Sequence, residues 1–244
     1  MREASASIHL VGSGFLGSNL TDPYDCNIYL LDGDSGRALI DCGSGLGVPA
    51  LVRELARRGF APRDIGWIIV THSHADHSGA AEALRRLTGA RVVASRATAR
   101  IMRAGEALMK LDEARAKGIY PAHYRYVPCS PDLEVGEGDR LAVGDLTLEV
   151  IATPGHSHDH ISLYCPELGA LFCGDVVFEG GRIAVQQAPD FSLDALQASI
   201  VKLAARRIVG LYPGHRAPLA DDGGRTLHLA AQRFAAGAVP DSIV

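Results

Sequence analysis

The chain has 244 residues, 47% of them hydrophobic, and a formal charge of −4 from 24 Lys and Arg against 28 Asp and Glu. That is enough apolar material for a substantial core, in one large α/β domain or two small ones. The basic residues are scattered, which excludes the positive footprint of a nucleic-acid binder, and no apolar run reaches membrane-spanning length.

The elements follow in chain order. "CNIYLLD" (26–32) and "RALIDC" (37–42) predict a hairpin, because apolar β-formers flank the turn "GDSG". "VPALVRELARRG" (48–59) has helical spacing and a glycine stop, and "GWIIVT" (66–71) is a short apolar strand. A helix is expected over 77–89 and a strand over 91–95. The stretch 96–127 differs: two helices, then "GIYPAHYRYVP", dense in tyrosine. Strands return at 140–143, 146–153, 160–165 and 170–174, followed by an amphipathic helix over 192–207, a strand at 208–212 and a helix over 223–237. Hairpins and βα units together predict mixed sheets with helices outside. No repeat, low-complexity tract or linker interrupts the chain, so 1–244 reads as one domain.

Five cysteines, odd in number and set in apolar runs, read as buried reduced thiols of a cytoplasmic protein. The opening "MREASASIHLVGSG" lacks the basic-then-apolar pattern of a secretory signal. Gly12, Gly14 and Gly17 form a G-x-G-x-x-G, with Asp32 near the offset of a ribose-binding acid. A dinucleotide site needs a helix opening at the last glycine. "SNLTDPYDC" follows instead, which reads as a glycine-rich loop near the surface.

"THSHADHSGA" (71–80) places His72, His74, Asp76 and His77 within six positions. Two-residue spacing at a strand end puts His72 and His74 on one face, and the turn aims Asp76 and His77 toward a second centre. "EVIATPGHSHDH" delivers His156, "ALFCGD" delivers Asp175 and "IVGLYPGH" delivers His215, each as strand, tight turn, ligand. Five histidines and two aspartates make two sites of a type suited to zinc, with manganese or iron as alternatives.

These residues carry a family resemblance. T-H-x-H-x-D-H, T-P-G-H, G-D and P-G-H, in this order over 71–215, resemble the metallo-β-lactamase superfamily, and "LIDCG" resembles its turn before the first helix. The resemblance implies an αβ/βα sandwich of two mixed sheets flanked by helices. It implies His72, His74 and His156 on one divalent ion, Asp76, His77 and His215 on another, and Asp175 between them. Asp41 would orient a ligand. His158 and His160 flank a ligand without filling a ligand slot, and Asp159 stands where relatives often carry glycine. His9, His123 and His228 are isolated.

The activity so implied is hydrolysis of a carbonyl substrate (lactone, ester or thioester) by a hydroxide shared between two metals, with Asp76 handling the proton. The glyoxalase II and lactonase-like branches are nearest. Basic and tyrosine groups for glutathione are sparse after Asp175, and Phe178 stands where the lactonases keep tyrosine. The alternative is a mononuclear iron persulfide dioxygenase-like oxidoreductase, whose metal loop "THSHADH" also resembles. Segment 96–127 is expected to be a helical insertion forming a lid, with Ile101, Met102, Leu108, Met109 and Leu111 available to line a pocket.

Overall fold

The structure is a computed structural model and describes residues 7–109 and 111–244. Its inner strands are apolar on both faces, so each sheet requires cover on both sides. In β2 (Ile28–Asp32), for example, Tyr29 and Leu31 enter one hydrophobic cluster while Ile28 and Leu30 enter another. One sheet runs β1 (Ile8–Gly12), β2, β3 (Arg37–Ile40), β4 (Trp67–Ile69), β5 (Arg91–Ser95), β6 (Leu133–Val135). The first three strands are antiparallel neighbours, and β3 to β6 run parallel.

The second sheet is ordered β11-β10-β9-β8-β7, built from β7 (Arg140–Val143), β8 (Leu146–Ala152), β9 (Ile161–Cys165), β10 (Ala170–Gly174) and β11 (Gly210–Pro213). Only β10 and β11 pair in parallel there. The central cluster joins Leu31, Ile40, Ile69 and Val93 of the first sheet to Leu148, Val150, Leu163 and Phe172 of the second.

Helices cover the outer faces. Leu51 and Leu55 of α1 (Val48–Arg57), Leu84 of α3 (Ala81–Thr88) and Met102 of α4 (Arg96–Ala104) pack on the first sheet. Leu196, Ile200 and Leu203 of α7 (Leu193–Ala204) join Leu227 and Phe234 of α8 (Gly223–Ala235) on the second. The i, i+4, i+7 spacing in α7 makes that apolar stripe, and Ser192 caps its start by accepting the Ala195 N–H at 3.3 Å. The result is the αβ/βα sandwich.

Several elements differ from the sequence expectation. The helix expected over 77–89 is broken into α2 (Ala75–Ser78) and α3. Ala80 N–H goes to the Gly43 carbonyl at 3.0 Å, and the Asp76 carbonyl takes Cys26 N–H at 3.2 Å. The helical bond that would join those two residues is therefore not made. Strands β1 and β6 are additions to the predicted set; both are short edge strands, and β6 has only the residues "LEV". No helix opens at Gly17; the glycine loop instead meets the His215 turn, where the Arg216 N–H donates to the Leu16 carbonyl at 2.7 Å.

Within 96–127, α4 belongs to the outer helical layer through Ala99 and Met102. Beyond it lie the short helices α5 (Glu106–Met109) and α6 (Leu111–Ala116). Leu111, Tyr120, Tyr124 and Tyr126 then cluster around Ala75 of the "THSHADH" turn, while Leu108 is exposed.

Candidate metal centre

Strands β8, β10 and β11 point the same way, because β8 and β10 are both antiparallel to β9 and β11 is parallel to β10. Strands β3 and β4 are parallel to each other. Asp41 follows β3, the "HSHADH" turn follows β4, and His156, Asp175 and His215 follow β8, β10 and β11. The two sheets meet at this rim: Ile161 N–H donates to the Thr71 carbonyl at 2.9 Å, and Asn27 N–H to the Gly214 carbonyl at 2.6 Å. Tight turns then bring every predicted ligand together.

His72, His74 and His156 form the first cluster. His72 Nε2 lies 3.1 Å and His156 Nε2 3.0 Å from His74 Nδ1. Nitrogens sharing one tetrahedral zinc sit about 3.3 Å apart, so this triad has the size of a metal site. Asp76, His77 and His215 form the second cluster, with Asp76 Oδ2 3.2 Å from His215 Nε2 and 3.6 Å from His77 Nε2. Asp175 lies between them: its Oδ2 is 3.4 Å from both His156 Nε2 and His215 Nε2, and its Oδ1 is 3.5 Å from His77 Nε2.

The donors fit a cation. His77 Nε2 and Asp175 Oδ1 are buried without a hydrogen-bond partner, a condition that protein interiors rarely tolerate. The glycines of the G-D and P-G-H turns are also required. A Cβ on Gly214 would lie 2.2 Å from Asp175 Oδ1, and one on Gly174 2.4 Å from His160 Nε2.

Residues 21–215 match the family model described as the metallo-beta-lactamase superfamily. The chain belongs to this superfamily. Among curated relatives, a hydroxyacylglutathione hydrolase from Chromohalobacter salexigens is 29% identical over 89% of this chain and 69% of its own length. An acyl-coenzyme A thioesterase from Gallus gallus is 32% identical over 64% of this chain and 59% of its own length. Other matched hydroxyacylglutathione hydrolases are covered over only 34% to 42% of their length. Among solved structures, a metallo-beta-lactamase family protein from Thermus thermophilus superposes with TM-score 0.73 at 27% identity, over 94% of this chain and 80% of that one.

Around the ligands this superfamily member builds a set of orienting bonds. Asp41 accepts the Thr71 N–H at 2.7 Å, the Thr71 hydroxyl at 2.9 Å and His77 Nδ1 at 2.9 Å. His77 Nε2 is thereby left facing the second cluster, as expected of an outer carboxylate. His160 is buried, accepts Asp175 N–H on Nε2 at 3.1 Å and meets the Thr153 hydroxyl through Nδ1 at 2.9 Å. His158, by contrast, is exposed to solvent. Asp159 accepts Ser73 N–H at 2.9 Å and the Thr98 hydroxyl at 2.8 Å, tying the ligand turn to the start of α4.

Three contacts escape a reading of the sequence. Asp190 Oδ2 meets His74 Nε2 at 3.1 Å, leaving Nδ1 to face the first cluster. Gln186 Nε2 lies 3.4 Å from His156 Nε2. The Tyr120 hydroxyl bonds to Asp76. The first two come from the loop "VQQAPDF", which carries no recognisable motif.

The charges favour ligation. Burial, then neighbouring imidazoles, hold His72 well below its ordinary value; burial takes His156 down to about 3 despite Asp175. Both present lone pairs at neutral pH. Burial opposes ionisation of Asp175, yet the facing His215 and His77 hold its carboxyl well below the usual range. For His215 burial again opposes charge, but Asp175 and Asp76 raise it to about 9.

The carboxylates thus call for positive charge, which a proton on His215 supplies until a metal displaces it. Metal affinity at the second cluster is therefore expected to climb about tenfold per pH unit for each proton displaced. The climb follows from the sign: His215 holds its proton below about 9, and His77, which burial opposes but acidic neighbours hold well above its ordinary value, holds one as well. Chelator-competition titrations between pH 6.5 and 9 check this, and a flat profile for the second-cluster ion contradicts it.

Proposed function

We propose that the chain is a binuclear metal-dependent hydrolase that cleaves an activated carbonyl substrate. The observation that carries this reading is Asp175, whose Oδ2 stands 3.4 Å from a histidine nitrogen of each cluster. His72, His74 and His156 would hold one ion, Asp76, His77 and His215 the other, and Asp175 would touch both. Imidazole and carboxylate donors suit zinc first, with manganese and iron as alternatives. When bound, a pair of such ions supplies Lewis-acid polarisation of a carbonyl and a water acidified toward neutrality.

The chain's own residues divide the remaining work. Asp175, with 4% of its side chain exposed, is enclosed by histidines, whereas Asp76 is 20% exposed and within reach of solvent. Asp76 is thus the carboxylate placed to take a proton from the attacking group and pass it to the leaving group. Tyr24, Leu46 and Met109, half-buried beside Tyr120, offer an apolar wall for an acyl chain. Segment 96–127 is read as the part that sets substrate choice, within one domain spanning 1–244.

A thioester is the first substrate class to test, because relatives are named for hydrolysis of hydroxyacylglutathione and acyl-coenzyme A. Lactones and simple esters are the comparison arms. Partners are small molecules. Five buried free cysteines suit a reducing cytoplasm, and among the described residues no helix is long and apolar enough to cross a membrane.

Elemental analysis of the pure protein is expected to give close to two metals per chain. A panel of thioesters, lactones, esters and β-lactams on the same preparation is expected to give highest kcat/KM for a thioester. A reproducible single iron per chain with no hydrolysis would overturn the reading in favour of the dioxygenase-like alternative.

A further inference from the structure

We infer that Tyr120 is a positioning residue that fixes Asp76 for the second ion, an inference that rests on the binuclear reading above. The phenol oxygen lies 3.1 Å from Asp76 N and 3.0 Å from Asp76 Oδ1. A backbone N–H only donates and an ionised carboxylate only accepts, so the roles are fixed. Tyr120 Oη receives the Asp76 N–H and gives its own proton to Oδ1. That occupies one carboxylate oxygen and the adjacent backbone at once. Oδ2 is left facing His215 Nε2 at 3.2 Å and His77 Nε2 at 3.6 Å.

The phenol is itself held. Its ring stacks on Tyr124 with centroids 4.9 Å apart and planes 21° from parallel. Tyr124 Oη in turn donates to the Ser44 carbonyl at 2.8 Å, and both rings are buried with Ala75, Leu111 and Tyr126. Swinging Tyr120 away would break the stack and open this cluster. A residue 44 positions along the chain therefore sets the rotamer of Asp76, as outer-shell partners do for metal ligands.

Tyr120→Phe tests this, since it keeps the ring and removes only the hydroxyl. The second ion's Kd, measured by chelator competition, is expected to rise about 10–100-fold while the first ion's stays at the parent value. kcat is expected to fall with KM nearly constant, and the cobalt-substituted protein to show an altered spectrum for the second ion alone. Tyr124→Phe is the packing control: it should lower the metal-free melting temperature without moving either Kd. If Tyr120→Phe lowers only the melting temperature, as the control does, Tyr120 is packing and the inference fails. A parent protein that binds one ion overturns the binuclear reading and this inference with it. Two ions in the parent and an unchanged second Kd in Tyr120→Phe overturn the inference alone.

Discussion

Asp76→Asn is expected to lower kcat by about 10²–10⁴-fold while changing KM far less, the range typical for loss of a general acid–base group. Burial alone would raise the Asp76 pKa, but His77 and His215 hold it well below the usual carboxylate range. It therefore enters the reaction ionised, ready to receive a proton. The amide cannot receive one. It also cannot satisfy its surroundings: if its oxygen keeps the Tyr120 hydroxyl bond, at 3.0 Å in the parent, its NH₂ faces His77 and His215. If it flips, two N–H donors compete for the one phenol oxygen. Metal content must be measured on the same sample, because either arrangement weakens the second cluster. Should excess metal restore kcat fully, Asp76 serves as a ligand only and its proton-handling role is wrong.

How much of this was legible in the sequence depends on how local each decision is. The seven candidate ligands each follow an apolar strand and a turn containing glycine, or belong to the "HSHADH" turn, so strand period and turn chemistry sufficed to single them out. The outer partners are different. Asp190 reaches His74 across 116 positions, and nothing in its neighbourhood marks it; Asp159 stands out as a departure from the family pattern, but its partner Ser73, 86 positions away, is not marked. His158 and His160 look equivalent as a two-residue pair. The turn before β9 sends one to solvent and buries the other against the Asp175 backbone.

The break between α2 and α3 was hidden for the same reason. Helical periodicity continues through it, but Gly43 and Cys26, distant in sequence, claim the hydrogen bonds of Ala80 and Asp76. The edge strand β6, with three residues, is too short for a periodic signal to build, and β1, as long as β2, runs straight into the glycine loop that masks it. Segment 96–127 reads as helix and tyrosine without revealing its division of labour. Met102 is fully buried under the first sheet, while Tyr120 lies against the ligand turn.

Asp41→Asn is expected to weaken the second ion about 10–100-fold while the fold and the first ion persist. Asp41 sits at φ +60°, a conformation that asparagine tolerates far better than alanine would, so the substitution changes the acceptor set without straining the backbone. In the parent, Oδ1 takes Thr71 N–H, while Oδ2 takes the Thr71 hydroxyl and His77 Nδ1–H. The asparagine oxygen can keep the backbone donor. Its NH₂ then replaces Oδ2, and the Thr71 hydroxyl can rotate to accept, but His77 Nδ1–H cannot face another N–H.

The imidazole escapes that clash by moving its proton from Nδ1 to Nε2, where Nδ1 accepts from the amide. Nε2 is the nitrogen facing Asp76 and Asp175, at 3.6 and 3.5 Å. Proton and metal then compete for one lone pair, and the metal's affinity falls. Leaving the clash unrelieved instead costs about 1–3 kcal/mol for a buried donor without a partner. The two routes separate experimentally: the tautomer shift lowers second-ion affinity with little loss of metal-free stability, and the unrelieved clash does the reverse. ¹⁵N chemical shifts of His77 in the metal-free variant, taken at a pH high enough to leave the ring neutral, report which nitrogen carries the proton. If Nδ1 remains protonated and both ions bind as in the parent, Asp41 does not set the His77 tautomer, and its carboxylate serves only to anchor Thr71.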